Sequence, residues 1–224
     1  MSGLLPRYTH IINPSLRHTY LSFDEAGGLI IKSPEVSRHY IEQLLLKKAK
    51  WITRSREKIL QKKGKTPDFT QKSKLYYKGI AYPLSVIPHE KKRTELRFEE
   101  GVFSLFSNRH DIGLFQKHID RFYKKEAEAY LPELVERCAQ QMQLFPRDIR
   151  FRKTKRQWGS CSGENVLSFN TMLMKLPENV IEYVVVHELA HIRHKHHQKH
   201  FWELVEVQMP KYKECIKELH SYTT

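Results

Sequence analysis

The segment Ile181-Glu-Tyr-Val-Val-Val-His-Glu-Leu-Ala-His191 constrains this chain more than any other. Its apolar residues predict a buried helix, and two histidines and a glutamate sit where that helix would shield them from solvent. In a helix, residues i and i+4 share one face about one turn apart, so the imidazoles of His187 and His191 can reach a single metal ion. Glu188 lies beside the first of them. It can approach a metal-activated water and take its proton without itself coordinating. A bare five-residue match also arises by accident. Here the buried face and the histidines that follow at once argue for a metal site.

A hydrolytic zinc site usually has three protein ligands and one open position. His194 lies seven residues after His187, almost on the same face but two turns on. Three ligands in line along one helix fit a tetrahedron poorly. The chain should therefore turn and return a histidine from beyond the helix, with His196, His197 and His200 available. His197 gives the spacing His-Glu-x-x-His-x-x-x-x-x-His of the metzincin site, with His194 in place of that pattern's helix-ending glycine. Glu203 or Glu206 would serve instead in a His/His/Glu site. His196 and His200 read as a solvated turn, and His194 as support behind the ligands.

The rest of the sequence sets the surroundings. With 224 residues, 40% of them hydrophobic, the chain can bury a real core. No apolar run approaches the roughly 20 residues of a membrane span. Residues Met1 to Tyr20 are broken by Pro6, His10, Asn13 and Pro14, which predicts no secretory leader. Cys138, Cys161 and Cys215 are scattered and odd in number, so no disulfide framework is expected and a cytoplasmic location fits. The formal charge of +14 favours anionic partners.

The coarse order is strands, helix, strands, helix, strands, helices, an α+β pattern with a break near residue 110. Short strands are expected over residues 1–33, turning at Gly27-Gly28. A helix follows, capped by Ser33 before Pro34 and running toward Gln61, with Ile41, Leu44, Leu45, Lys48 and Ile52 on one stripe and Trp51 beside it. Gly79 suits a turn or bulge, and Glu99-Glu100-Gly101 a hairpin. Ile112 to Gln143 has helical spacing that Pro132 would kink or divide. Strands return over Ile149 to Phe169. The buried helix runs from Glu178 to about His194, and a last helix starts near Gln198.

Several stretches together resemble a known family. Gln157-Trp-Gly-Ser-Cys-Ser162, Leu167-Ser-Phe-Asn170, Leu176-Pro177, Tyr183-Val-Val-Val-His-Glu-Leu-Ala-His191, His194, His197 and Phe201-Trp202 are similar to the YgjP-like predicted metal-dependent hydrolases, relatives of the SprT-like zinc proteases. Lys50-Trp51-Ile52 and Tyr77-Lys78-Gly79 extend the likeness toward the N-terminus. The break near residue 110 predicts an N-terminal α+β subdomain over residues 1–110, and the resemblance implies that residues 111–224 form a zincin-like catalytic half. It also implies one Zn2+ held by His187, His191 and His197, with Glu188 as base. His194, Trp158, Ser160 and Asn170 would support the site or touch substrate. Gln157 departs from the arginine common in the family.

These readings predict a zinc-dependent hydrolase acting on a peptide or protein. A nucleoside triphosphate pyrophosphatase, acting for example on UTP, is the competing expectation. It draws on the charge and on Arg150, Arg152, Lys153, Lys155 and Arg156 before the site. A third is a protease recruited to nucleic acid by its basic surface. Cys161 is read as a small buried apolar residue rather than a nucleophile.

Overall fold

The structure is a computed structural model that describes residues 5–224. The chain divides into two compact units, Met1–Thr66 and Pro67–Thr224. Residues 1–4, part of the segment expected to form strands, lie outside the described residues.

In the first unit, β1 (Tyr8–Ile12), β2 (Tyr20–Phe23) and β3 (Leu29–Ser33) form a sheet ordered β1-β3-β2. β1 runs parallel and β2 antiparallel to β3. Helix α1 (Arg38–Leu60) completes the unit. Leu29 and Ile31 alternate along β3 and form one core with Ile41, Leu45 and Ile52 of α1, so a period of 2 meets a helical stripe. The cap expected at Ser33 is corrected to Ser37, whose hydroxyl accepts from the Tyr40 N–H. Ser33 cannot serve, because its backbone pairs with Ile12 in the sheet. Its buried hydroxyl bonds His10 and the Pro34 carbonyl.

The second unit opens with β4 (Lys74–Tyr77), β5 (Ile80–Pro88), β6 (Glu95–Glu99) and β7 (Val102–Ser107), ordered β4-β5-β7-β6. Two-residue turns at Lys78-Gly79 and Glu100-Gly101 close its hairpins, and all four residues have positive φ, as tight hairpins require. Gly79 has a second reason to be glycine. A Cβ there would lie 2.9 Å from the Cα of Pro177. The N–H groups of Lys78 and Gly79 also donate to the carbonyls of Met174 and Lys175, which anchors this hairpin against the start of the metal-motif helix.

Helix α2 (Ile112–Met142) is capped by Asp111 and carries Pro132 without being divided. β8 (Asp148–Arg152), β9 (Gly159–Cys161) and β10 (Val166–Asn170) follow in the order β8-β10-β9. β10 is parallel to β8 and antiparallel to β9, which leaves β9 as an outer strand. A 3-10 turn (Thr171–Lys175) leads into α3 (Glu178–Arg193). The single last helix expected from Gln198 is two: α4 (Lys199–Gln208) and α5 (Tyr212–Leu219). Pro210 separates them, lacking the N–H a continuous helix would use.

The mixed α+β class stands as expected. One core joins Phe103 and Leu105 of β7, Phe115 and Ile119 of α2, Phe169 of β10 and Val185 and Leu189 of α3. The break expected near residue 110 falls inside that core, and the compact units meet at 66/67 instead. Among the described residues no helix is long and apolar enough to cross a membrane.

Candidate metal centre

Helix α3 is buried along most of its length, with Val180, Ile181, Val184, Val185, Leu189 and Ala190 in the core. Its motif residues lie at its C-terminal end, where the chain leaves the helix. His194 ends the helix in an extended conformation, φ −123°, so no glycine is needed to turn the chain. Its carbonyl accepts from Nδ1 of His191 at 3.0 Å. Lys195 donates to Asn165 Oδ1 at 2.7 Å and to the Ser162 carbonyl at 3.1 Å, fastening the turn to the β9–β10 loop. The chain then folds back into α4.

The fold-back brings Nε2 of His197 to 3.0 Å from Nε2 of His187. His187, His191 and His197 each offer one ring nitrogen, all within 4.8 Å of one another. Three nitrogens on a tetrahedral zinc at ordinary bond lengths lie about 3.3 Å apart, so the set contracts onto an ion with small side-chain shifts. The outer nitrogens are already engaged. A carbonyl only accepts, so His191 must carry its proton on Nδ1, which leaves the Nε2 lone pair free. Nδ1 of His187 lies 3.2 Å from the Tyr183 hydroxyl. These contacts fix the orientation of both rings. The residues present fit a divalent metal.

Aromatic side chains wall the cluster. Phe201, fully buried, has its ring centroid 4.6–4.9 Å from all three imidazoles. Trp202 stacks on His197 at 5.6 Å and on Tyr212 at 5.4 Å. His197, from beyond α3, is thereby held by packing from α4.

Glu188 is 6% exposed, and its carboxyl makes no hydrogen bond or ion pair among the described residues. Gly159 of β9 lies against it. A Cβ there would come within 2.6 Å of Glu188 Oε1, so only glycine leaves room for the carboxylate beside the strand. Burial pushes the Glu188 carboxyl up to about 8. Burial, with the neighbouring His191 and His197, pushes the His187 imidazole down to about 3. The pocket thus keeps the His187 imidazole unprotonated, the form a metal requires, while a cation would favour the Glu188 carboxylate.

These shifts give a stability prediction for the metal-free chain. The folded state holds the Glu188 proton up to about pH 8, whereas an ordinary carboxyl loses it near 4.5. Folding stability is therefore lost as pH rises through that window, by roughly 3–5 kcal/mol in full. Glu188→Gln removes this term and leaves the His187 contribution in place. Chelator-treated Glu188→Gln should gain on wild type between pH 5 and pH 8.5 in denaturant titrations. A gap that stays constant across that range contradicts the burial argument.

Of the other residues singled out in sequence, His196 and His200 are exposed, and His200 bonds Glu203 at 3.0 Å. Neither Glu203 nor Glu206 belongs to the triad. His194 contributes its carbonyl, and its ring faces that of His200. Asn170 is buried and fully used. Its Nδ2 donates to the Thr154 and Gln157 carbonyls, and its Oδ1 accepts from the Met172 N–H, so it shapes the loop carrying Trp158 and Gly159. The Trp158 carbonyl accepts from the Asn170 N–H, and its ring packs on the core. Ser160 pairs with Ser168 in the sheet.

The basic residues before the site are largely committed elsewhere. Arg150 pairs with Asp148, Lys153 with Asp120, and Arg152 bonds Ser168. The half-buried Cys161 thiol is pushed up by burial, unlike an activated nucleophile. Sequence reading missed Tyr183, although its position four residues before His187 on the same helix face was a usable signal.

Three histidines converging beside a buried carboxylate define a metal-dependent hydrolase of metallopeptidase type. The chain belongs to the YgjP-like family, whose metallopeptidase domain model matches residues 17–222. Among solved structures it is similar to the metallopeptidase zymogen abylysin of Pyrococcus abyssi, at 23% identity over 39% of this chain and 90% of that chain, with a TM-score of 0.37. It is also similar to the zymogen jannalysin of Methanocaldococcus jannaschii, at 18% identity over 39% and 91%, with a TM-score of 0.36. No curated protein matches the chain.

Proposed function

We propose that this chain is a zinc-dependent peptidase of zincin type in which His187, His191 and His197 hold the metal and Glu188 is the general base. The observation that carries the reading is the meeting of three imidazole nitrogens within 4.8 Å, with the buried Glu188 next to His187 on α3 and without a hydrogen-bond or ion-pair partner among the described residues. Zinc held there would supply Lewis acidity toward a water molecule and a substrate carbonyl.

The chain's own residues supply the rest. Glu188 takes the proton of the attacking water and passes it to the leaving amide nitrogen as the C–N bond breaks. Tyr183 and the His194 carbonyl keep two imidazoles in orientation. Phe201 and Trp202 pack against the imidazoles and hold them in place. β9 is hydrogen-bonded only to β10 among the described strands, and it lies against Glu188. An extended peptide pairing with its open edge would lay a scissile bond across the carboxylate.

Incubating the zinc-loaded chain with a peptide library, and separately with nucleoside triphosphates, tests this reading. Mass spectrometry should find new peptide termini at internal amide bonds. Pyrophosphate release with intact peptides would overturn it in favour of phosphoanhydride hydrolysis.

A further inference from the structure

The first unit carries a second surface that the metal centre does not use. Along α1, Tyr40, Lys47, Trp51, Arg54 and Lys58 fall within roughly 60° of arc at about 100° per residue, and all five are exposed. Lys48 and Lys50 flank this stripe and are exposed too. None of the five cations makes an ion pair or a side-chain hydrogen bond among the described residues. The helix carries two carboxylates: Glu42 pairs with Arg38, and Glu57 makes no ion pair with the stripe among the described residues. Trp51 is 45% and Tyr40 47% exposed. Trp51 thus stands in solvent between the unpaired cations of Lys47 and Arg54, and Tyr40 stands about two turns before Lys47 on the same stripe.

We infer that this stripe of α1 binds single-stranded nucleic acid, the cations taking backbone phosphates and Trp51 and Tyr40 stacking on bases. Unpaired cations flanking Trp51, with the exposed Tyr40 ring on the same stripe, supply the two components of such binding. A duplex hides its base faces and would use the cations alone. An anionic membrane is the weaker fit. An interfacial helix needs a continuous apolar face, and the other large exposed apolar residues of α1, Leu46 and Leu60, lie about 140–180° around the helix from Trp51. The inference is independent of the metal centre and of what it hydrolyses.

The test uses the full chain and fluorescein-labelled oligouridylate or oligothymidylate of about 16 nucleotides, read by anisotropy. Five phosphate contacts predict a slope of log affinity against log salt of about −3.5, or roughly a 100-fold loss between 50 and 200 mM salt. The variant Lys47→Gln/Lys50→Gln/Arg54→Gln/Lys58→Gln should flatten the slope to about −0.7 and keep its zinc content. Tyr40→Ala, which removes a ring with no aromatic partner among the described residues, should weaken binding about fivefold or more with the slope unchanged. Trp51→Ala should do the same. Because Trp51 packs on Phe23 at 5.8 Å, Trp51→Phe serves as its folding control and should bind nearly as wild type. Absence of binding at low salt, or equal binding by the quadruple variant, would overturn the inference. So would a duplex bound as tightly as the single strand, or binding to phosphatidylcholine–phosphatidylserine vesicles but not to oligonucleotides.

Discussion

Glu188→Gln is expected to lower peptide turnover by about 10²–10⁴-fold while fold and zinc content stay at wild-type levels. Glutamine keeps the size that fits beside Gly159, so the packing there is undisturbed. Its amide cannot accept a proton at neutral pH. The three imidazoles are left in place, and metal retention separates loss of the base from loss of the site. Turnover within tenfold of wild type, in a variant with full zinc, would remove Glu188 from the base role.

The second large effect concerns the ligand supplied from beyond α3. His197→Ala should weaken zinc binding by more than about 100-fold, the upper end of what an outer partner contributes. Tyr183→Phe should cost about 10-fold, because it loses only the hydroxyl beside His187 Nδ1. His196→Ala and His200→Ala should bind zinc as wild type does. So should His194→Ala, since the group that holds His191 is the backbone carbonyl of residue 194 and survives the substitution. Chelator competition across these variants ranks them directly. If Glu203→Ala or Glu206→Ala releases the metal while His197→Ala keeps it, the site is His/His/Glu.

What was legible in the sequence follows from how local each feature is. The i, i+4 pair His187 and His191 is fixed by helix geometry alone, and the apolar run before it identifies the buried face. Both hairpin turns announce themselves through glycines at positions needing positive φ. Ser33 misled because two segments competed for it. A cap reads from four residues, whereas its pairing with Ile12 is set by a strand some twenty residues earlier. The boundary near residue 110 is non-local in the same way. Strands give way to a helix there, and the side chains of β7 and α2 share one core. At the site, the contact of Gly159 with Glu188 joins segments distant in sequence, which no local pattern reveals. His194 shows the limit most plainly. Its ring drew attention, and its carbonyl orients His191.

Zinc content of the chain purified without added metal, measured together with peptide hydrolysis before and after chelation, tests the central claim most directly. About one zinc per chain is predicted, with hydrolysis that disappears as the ion is stripped and returns when zinc is restored. A folded, metal-free chain that cleaves peptides at the full rate would contradict it.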